Sequence, residues 1–127
     1  MYNLINELEN KVISITGASG YIGSALIKEL ERYSINKIIR ISRTKLIPKD
    51  NIEDWVLDLK KKSSWIKIVS QSDIIIHLSG NTSLSVAENN PENSLISEVL
   101  PIINLINASK ELSYKPRVIF ASTATIY

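Results

Sequence analysis

The stretch Ile13–Leu26, which reads ISITGASGYIGSAL, constrains the fold more than any other part of the chain. A short apolar run ends in a loop that bears Gly17, Gly20 and Gly23, and apolar residues at helical spacing follow at once. A strand, a glycine-rich turn and a helix in this order form an anion site, because the first helical turn has free N–H groups and a favourable dipole. Glycine also lets a pyrophosphate approach without meeting a Cβ. The stretch therefore predicts a dinucleotide-binding βα unit.

The glycine loop has an alternative interpretation as a purely structural βα turn. Its G-x-x-G-x-x-G spacing lacks the G-K-[ST] ending of a P-loop and differs from the commoner G-x-G-x-x-G loop. Its position between a predicted strand and a predicted helix favours cofactor binding. The candidate cofactor-binding residues are therefore the three glycines together with Ser19, Tyr21 and Ile22.

The rest of the chain alternates between strand-like and helix-like patterns. Strands are predicted at residues 11–16, 36–43, 54–57, 73–78 and 117–121, and helices at 21–33, around Trp65 and at 91–112. Pro101 should kink the last helix or divide it into two pieces. This alternation predicts a single α/β domain over residues 1–127, with a doubly wound, mostly parallel sheet of about five strands and helices on both faces. The sequence ends soon after the fifth strand, so we expect the domain to be incomplete.

Composition excludes several classes of function. Lysine and arginine are spread along the chain and the net charge is only +2, so no nucleic-acid partner is expected. We interpret the run Lys60–Lys62 as a solvated helix start, with a phosphate-contact patch as the alternative. There is no cysteine and only one histidine, so neither a disulfide framework nor a metal site is expected.

No apolar run approaches the roughly 18 residues that span a bilayer, so no membrane partner is expected. The acidic N-terminus lacks the basic-then-apolar order of a signal peptide. The expected location is the cytoplasm.

The end of the second predicted strand bears on the choice between NAD and NADP. NAD-binding proteins usually place an acidic residue there, and NADP-binding proteins tend to place an arginine. The segment 40–43 reads RISR and contains no carboxylate. Ser42 and Arg43 could hydrogen-bond and neutralise a 2′-phosphate, so NADP is favoured over NAD. A solvated basic loop is the alternative.

Polar residues also follow the other predicted strands. Asp58 could accept a hydrogen bond from the adenine amine, or it could cap a helix. His77 ends a buried strand and is interpreted as a packed core residue and not as a base. Ser79 and Gly80 lie at the tip of that strand, where ligands bind in such sheets. Ser122 and Thr123 follow the fifth strand, where a hydroxyl can donate to a substrate oxygen.

Taken together, these segments resemble the extended short-chain dehydrogenase/reductase family, the NAD(P)-dependent nucleotide-sugar epimerases and dehydratases with a Rossmann-like fold. The matching segments occur in family order and read TGASGYIG (16–23), DL (58–59), HLSG (77–80), NLINAS (104–109) and FASTATIY (120–127).

The resemblance implies a role for each matching position. The three glycines and the backbone of Tyr21 and Ile22 would hold the pyrophosphate. Asp58 and Leu59 would contact the adenine, and Ser79 and Gly80 would lie beside the nicotinamide ribose. Thr123 falls where the family keeps its catalytic serine or threonine, with Ser122 one step earlier. The implied partners are a dinucleotide cofactor and, in the intact protein, a sugar-nucleotide substrate; a homodimer is also among the states that the family adopts.

The chain departs from the family pattern in two places. An asparagine, a valine and a glycine-threonine pair usually precede the fifth strand; those positions hold Glu98, Val99, Pro101 and Ile102. The catalytic Y-x-x-x-K pair of the family lies on a helix after the fifth strand, and the sequence ends before it. Tyr33 and Lys37 match that spacing, but they fall far from the tip of strand five and are interpreted as coincidental.

The sequence is thus interpreted as the NAD(P)-binding portion of an epimerase, dehydratase or reductase that transfers hydride when intact. We expect the 127 residues alone to be inactive. Two alternatives remain: a non-catalytic NADP-binding or regulatory module of the same fold, and a protein-interaction domain in which the glycine loop is only structural.

Overall fold

A computed structural model describes residues 6–81 and 83–122 and contains one parallel sheet of five strands. The strands are β1 (Val12–Thr16), β2 (Lys37–Ser42), β3 (Ile52–Val56), β4 (Ile74–His77) and β5 (Arg117–Phe120). Their order in the sheet is β3-β2-β1-β4-β5. The chain therefore builds outward from β1 to one edge and then crosses to the other side of β1. This arrangement confirms the predicted doubly wound α/β fold.

Five helices connect the strands in the described part of the chain. They are α1 (Tyr21–Leu30), α2 (Lys62–Gln71), α3 (Leu84–Asn89), α4 (Pro91–Glu98) and α5 (Leu100–Glu111). The predicted long helix is divided between α4 and α5 at Val99, as Pro101 suggested. Proline is tolerated at the second position of α5 because the N–H groups of a first helical turn have no partner within the helix.

The sheet has a hydrophobic core on each face. On one face α1 contributes Ile27 and Leu30, which pack with Ile13 and Ile15 of β1. On the other face α2 and α5 cover the sheet, with Trp65, Ile68, Val69, Leu105 and Ala108 packed against Ile39, Ile41, Trp55 and Ile75. The central strands β1, β2 and β4 are mostly buried because both faces of the sheet are covered there, whereas β5 at the edge is exposed.

Several boundaries differ from those that the pattern predicted. Helix α1 ends at Leu30, three residues short of the predicted end, and Tyr33 follows in a turn. Strand β3 begins at Ile52, directly after Asn51, which has a φ of 62°. Helix α3 was not predicted, because residues 84–89 lack a clear apolar repeat. None of the helices in the described residues is long and apolar enough to cross a bilayer.

Truncation of Ile75 should destabilise the fold far more than truncation of Ile47. Ile75 is fully buried at the centre of β4, whereas the side chain of Ile47 is 86% exposed. We expect Ile75→Ala to lower the free energy of unfolding by about 2–5 kcal/mol, and Ile47→Ala to change it by less than about 0.5 kcal/mol. Urea unfolding followed by circular dichroism measures both. Equal effects of the two substitutions would contradict the described core.

Candidate functional site

A cleft of about 580 Å³ lies at the carboxyl ends of the strands. Residues from the loops after β1, β2, β3 and β4 line it, together with the end of α4. The predicted site residues among them are Gly17, Ser19, Gly20, Ser42, Arg43, Asp58, Leu59, Ser79 and Gly80. The fold therefore brings together, at one edge of the sheet, most of the predicted site residues, which belong to separate loops.

Gly17 and Gly23 are required by the packing of the protein itself. Gly17 has a φ of 69°, and a Cβ on it would lie 2.7 Å from the carbonyl carbon of Leu78 and from the backbone nitrogen of Ser79. A Cβ on Gly23 would collide with the carbonyl oxygen of Gly17. The glycine loop therefore rests directly on the end of β4, with no room for side chains between them.

Gly20 is different, because it borders the cleft. A Cβ on Gly20 would meet only the carbonyl oxygen of Gly17, at 3.2 Å. Gly20 is the N-cap of α1, with no side-chain cap and no acidic residue in the first turn. The first-turn amides are therefore free to hydrogen-bond a bound anion at this end of the helix. This open cradle fits a pyrophosphate group.

Tyr21 and Ile22 occupy the first turn of α1, and their side chains are 92% and 65% exposed. Tyr21, Ile22 and the buried Gly23 are not among the residues that line the cleft. The backbone role that the resemblance implies for Tyr21 and Ile22 stays a prediction.

The two arginines at the end of β2 have different environments. Arg40 is buried, and its guanidinium donates to both carboxylate oxygens of Asp54 at 2.6 and 2.7 Å and to the carbonyl oxygen of Ile47 at 2.7 Å. Arg43 is exposed and lines the cleft. Arg40 is thus a structural residue that links β2 to Asp54 and to the loop at Ile47. Arg43 is exposed at the cleft, where a ligand can reach it.

The hydroxyl of Ser42 is already engaged as a donor. Its Oγ donates to the carbonyl oxygen of Thr44 at 2.5 Å. In this conformation the Ser42 hydroxyl can only accept a hydrogen bond from a ligand, so donation to a 2′-phosphate would require its O–H to turn away from Thr44. Arg43, directly after Ser42, is an exposed cationic donor at this end of the cleft.

Asp58 does not cap a helix. Helix α2 begins at Lys62 with Lys61 as its N-cap, and no side chain caps it. One carboxylate oxygen of Asp58 accepts from the backbone N–H of Lys60 at 3.0 Å, which forms a local turn. The Asp58 side chain stays exposed at the cleft, so the helix-cap alternative is wrong.

Neighbouring groups fix the segment after Asp58. The carbonyl oxygen of Leu59 accepts from the indole N–H of the buried Trp65 at 2.8 Å, and the carbonyl oxygen of Lys60 accepts from the amide of Asn104 at 3.0 Å. Within the run 60–62, Lys60 lines the cleft and Lys62 forms an ion pair with Glu111. The lysine run thus contributes one cation to the cleft.

His77 is a packed residue of the sheet. The Oγ1 of Thr16 accepts from the backbone N–H groups of Leu78 and Ser79 at 3.2 and 3.3 Å and forms a hydrogen bond of 2.6 Å with Nδ1 of His77. Burial lowers the pKa of His77, and Phe120 stacks on the ring at 5.7 Å between centroids.

Thr16 is a residue of this site that the sequence analysis did not single out. Its hydroxyl ties the end of β1 to the end of β4 through three partners. The only sequence signal was its place directly before Gly17 in the glycine-loop motif.

Helix α4 supplies the far wall of the cleft, with Asn93, Ser97 and Glu98 as lining residues. Glu98 Oε1 accepts from the backbone N–H of Asn81 at 2.6 Å. A Cβ on Gly80 would lie 2.7 Å from Glu98 Oε2. The sequence marked Glu98 as a departure from the family pattern, at a position where the family usually has an asparagine.

The remaining nominated residues lie elsewhere. Ser122 is exposed after β5, and among the described residues it does not line the cleft. Thr123 lies outside the described residues. The Tyr33 hydroxyl donates to Glu29 at 3.3 Å, and Lys37 begins β2 and pairs with Glu53. Lys37 is therefore at the amino end of its strand, opposite the cleft, and the Y-x-x-x-K match is coincidental.

The burial of His77 should make the stability of the fold depend on pH, because it lowers the pKa of the ring. The folded pKa lies below its usual value of 6.5, so protons bind preferentially to the unfolded chain below about pH 6.5. The free energy of unfolding should be highest above that pH and fall below it, by up to about 1.4 kcal/mol per pH unit. Urea unfolding at pH 7, 6 and 5 measures the slope.

His77→Gln provides the control because it removes the titrating group. We expect the variant to lose less stability than the parent chain between pH 7 and 5. Hydrogen bonds from Lys37 and Trp55 lower the pKa of Glu53, which keeps this carboxylate ionised over the same range. Equal slopes for the parent and the variant would show that His77 is not held neutral.

Comparisons with known proteins agree with the geometry of this cleft. The model of the NAD dependent epimerase/dehydratase family matches residues 13–127. The chain belongs to this family.

One relative is the UDP-glucose 4-epimerase of Mycoplasma genitalium, which is 31% identical over 124 residues. The match covers 91% of this chain but only 36% of that protein. Among solved structures, the nucleoside-diphosphate-sugar epimerase from Agrobacterium tumefaciens superposes with a TM-score of 0.81 at 22% identity, over 94% of this chain and 39% of that one. Uronate dehydrogenase from the same organism superposes with a TM-score of 0.75 at 25% identity, over 89% of this chain and 41% of that one. The chain thus spans little more than a third of the length of these proteins.

Proposed function

We propose that this chain is the dinucleotide-binding part of an NADP-dependent nucleotide-sugar epimerase, dehydratase or reductase. The observation that carries the proposal is the cleft over the uncapped first turn of α1, with Gly20 at its floor. The match to the N-terminal third of a UDP-glucose 4-epimerase supports the same substrate class.

The residues of the cleft suggest how the cofactor is held. The first-turn amides of α1 would bind the pyrophosphate, with Gly20 leaving the space for it. Asp58 and the Leu59 segment would contact the adenine, and Ser79 and Gly80 would contact the ribose of the nicotinamide. A bound nicotinamide supplies hydride transfer.

The proton-transfer groups of the intact enzyme would come from other positions. Thr123, with Ser122 beside it, would donate a hydrogen bond to the substrate oxygen. A tyrosine–lysine pair beyond residue 127 would move the proton. We therefore propose that the 127 residues bind cofactor without turning over substrate.

The preference for NADP is proposed from the charges at the end of β2. Arg43 follows β2 and lines the cleft, and β2 ends at Ser42 where NAD-binding proteins usually have a carboxylate. Lys60, after β3, adds a second cation to the cleft lining. A 2′-phosphate beside Arg43 would form charge-assisted hydrogen bonds that a 2′-hydroxyl would not.

Substitution of Arg43 tests that preference. We expect Arg43→Ala to weaken NADPH binding at least about tenfold and to leave NADH binding nearly unchanged, because only the 2′-phosphate loses its charged partner. Arg32→Ala is the control, since Arg32 is exposed beside Glu29 and away from the cleft. Isothermal titration calorimetry gives the dissociation constants. A parent chain that binds NADH more tightly than NADPH would contradict the preference.

A second substitution tests cofactor binding itself. Gly20→Val places a branched side chain in the pyrophosphate cradle, so we expect NADPH to raise the melting temperature of the parent but not of the variant. Ala25→Val, on an exposed position of the same helix, is the control and should respond like the parent. If neither nucleotide shifts the melting temperature of the parent, the proposed function of this chain is wrong.

The coding sequence beyond the codon for Tyr127 separates an enzyme from a non-catalytic module. We expect the reading frame to continue into a helix with a Y-x-x-x-K pair. A stop codon directly after Tyr127 would favour the non-catalytic NADP-binding module instead.

A further inference from the structure

The carboxylate of Glu98 forms part of the cleft wall between β4 and α4. Its Oε1 accepts from the backbone N–H of Asn81, and its Oε2 lies against Gly80. The side chain is half-buried. Glu98 is thus held at the cleft by a hydrogen bond from the backbone of Asn81, with Gly80 leaving room for its second oxygen.

The charges lining the cleft are unevenly distributed. Arg43, Asp58 and Lys60 lie on the side of β2 and β3, whereas Glu98 is the only charged lining residue on the side of β4 within the described chain. None of the salt bridges formed by the described residues involves Glu98. The β4 side of the cleft therefore carries an uncompensated negative charge.

A dinucleotide spans the crevice where the strand order reverses, which here is the boundary between β1 and β4. With its pyrophosphate at α1 and its 2′-phosphate near Arg43 and Lys60, the remaining half of the molecule must extend toward β4. That half carries the nicotinamide ring. The oxidised ring has a positive charge that the reduced ring lacks, so a nearby carboxylate distinguishes the two forms.

We propose that Glu98 sets the redox-state preference of the site by favouring the oxidised cofactor over the reduced one. The inference rests on the proposed function, because it requires a dinucleotide in this cleft. The residue acts through its charge, and this action is separable from its hydrogen bond to Asn81.

Glu98→Gln separates the two roles. The amide oxygen of glutamine can still accept from the Asn81 N–H, but the charge is gone. A purely structural role for Glu98 predicts equal changes in the affinity for both forms of the cofactor. The charge role predicts unequal changes in the two affinities, so that their ratio changes.

The test is isothermal titration calorimetry of the 127-residue chain with NADP⁺ and with NADPH at low salt, where screening is weakest. We expect Glu98→Gln to lower the ratio of the NADPH dissociation constant to the NADP⁺ dissociation constant at least about threefold, as expected for one charge in a solvent-open cleft. Glu92→Gln removes the same charge from the exposed first turn of α4 and should leave the ratio unchanged.

Two outcomes would overturn the inference, and they have different meanings. If the parent binds both forms and Glu98→Gln leaves the ratio unchanged, Glu98 has no role in redox preference and the proposed function stands. If the parent binds neither form, the proposed function fails and the inference fails with it.

Discussion

The contact between Gly17 and the end of β4 is the constraint on which the site depends. Gly17 takes a φ of 69° and leaves no space for a Cβ against Leu78 and Ser79. The hydroxyl of Thr16 stabilises the same junction, because it accepts hydrogen bonds from both of those residues and forms a third with Nδ1 of His77. This junction sets the glycine loop, and with it the first turn of α1, beside the strand end that forms the other wall of the cleft.

The topology explains why the cleft opens at this junction. Strands β2 and β3 lie on one side of β1 and β4 lies on the other, so the connections that leave β1 and β4 run in opposite directions across the sheet. Helix α1 covers one face, and α2 and α5 cover the other. The loops that diverge at this point leave a crevice, and the uncapped N-terminus of α1 begins at Gly20 on its border.

Local patterns were enough to predict the strands, the glycine loop and the grouping of loop residues at one sheet edge, because parallel strands bring their carboxyl ends together. Contacts distant in sequence were not predictable. Arg40 and Arg43 look equivalent in the sequence, and only the pairing of β2 with β3 places Asp54 opposite Arg40. Glu98 reaches the cleft because α4 packs beside the turn after β4, which no periodicity encodes.

We propose that the first turn of α1 binds the pyrophosphate of a dinucleotide while the ends of β2 and β4 bind its two halves. Amide chemical-shift mapping of the ¹⁵N-labelled chain during titration with NADP⁺ measures which residues the cofactor contacts. We expect the largest shifts at Gly20, Tyr21 and Ile22, with further shifts at Arg43 and Gly80. Shifts that spare the first turn of α1, or that cluster at the amino ends of the strands, would contradict it.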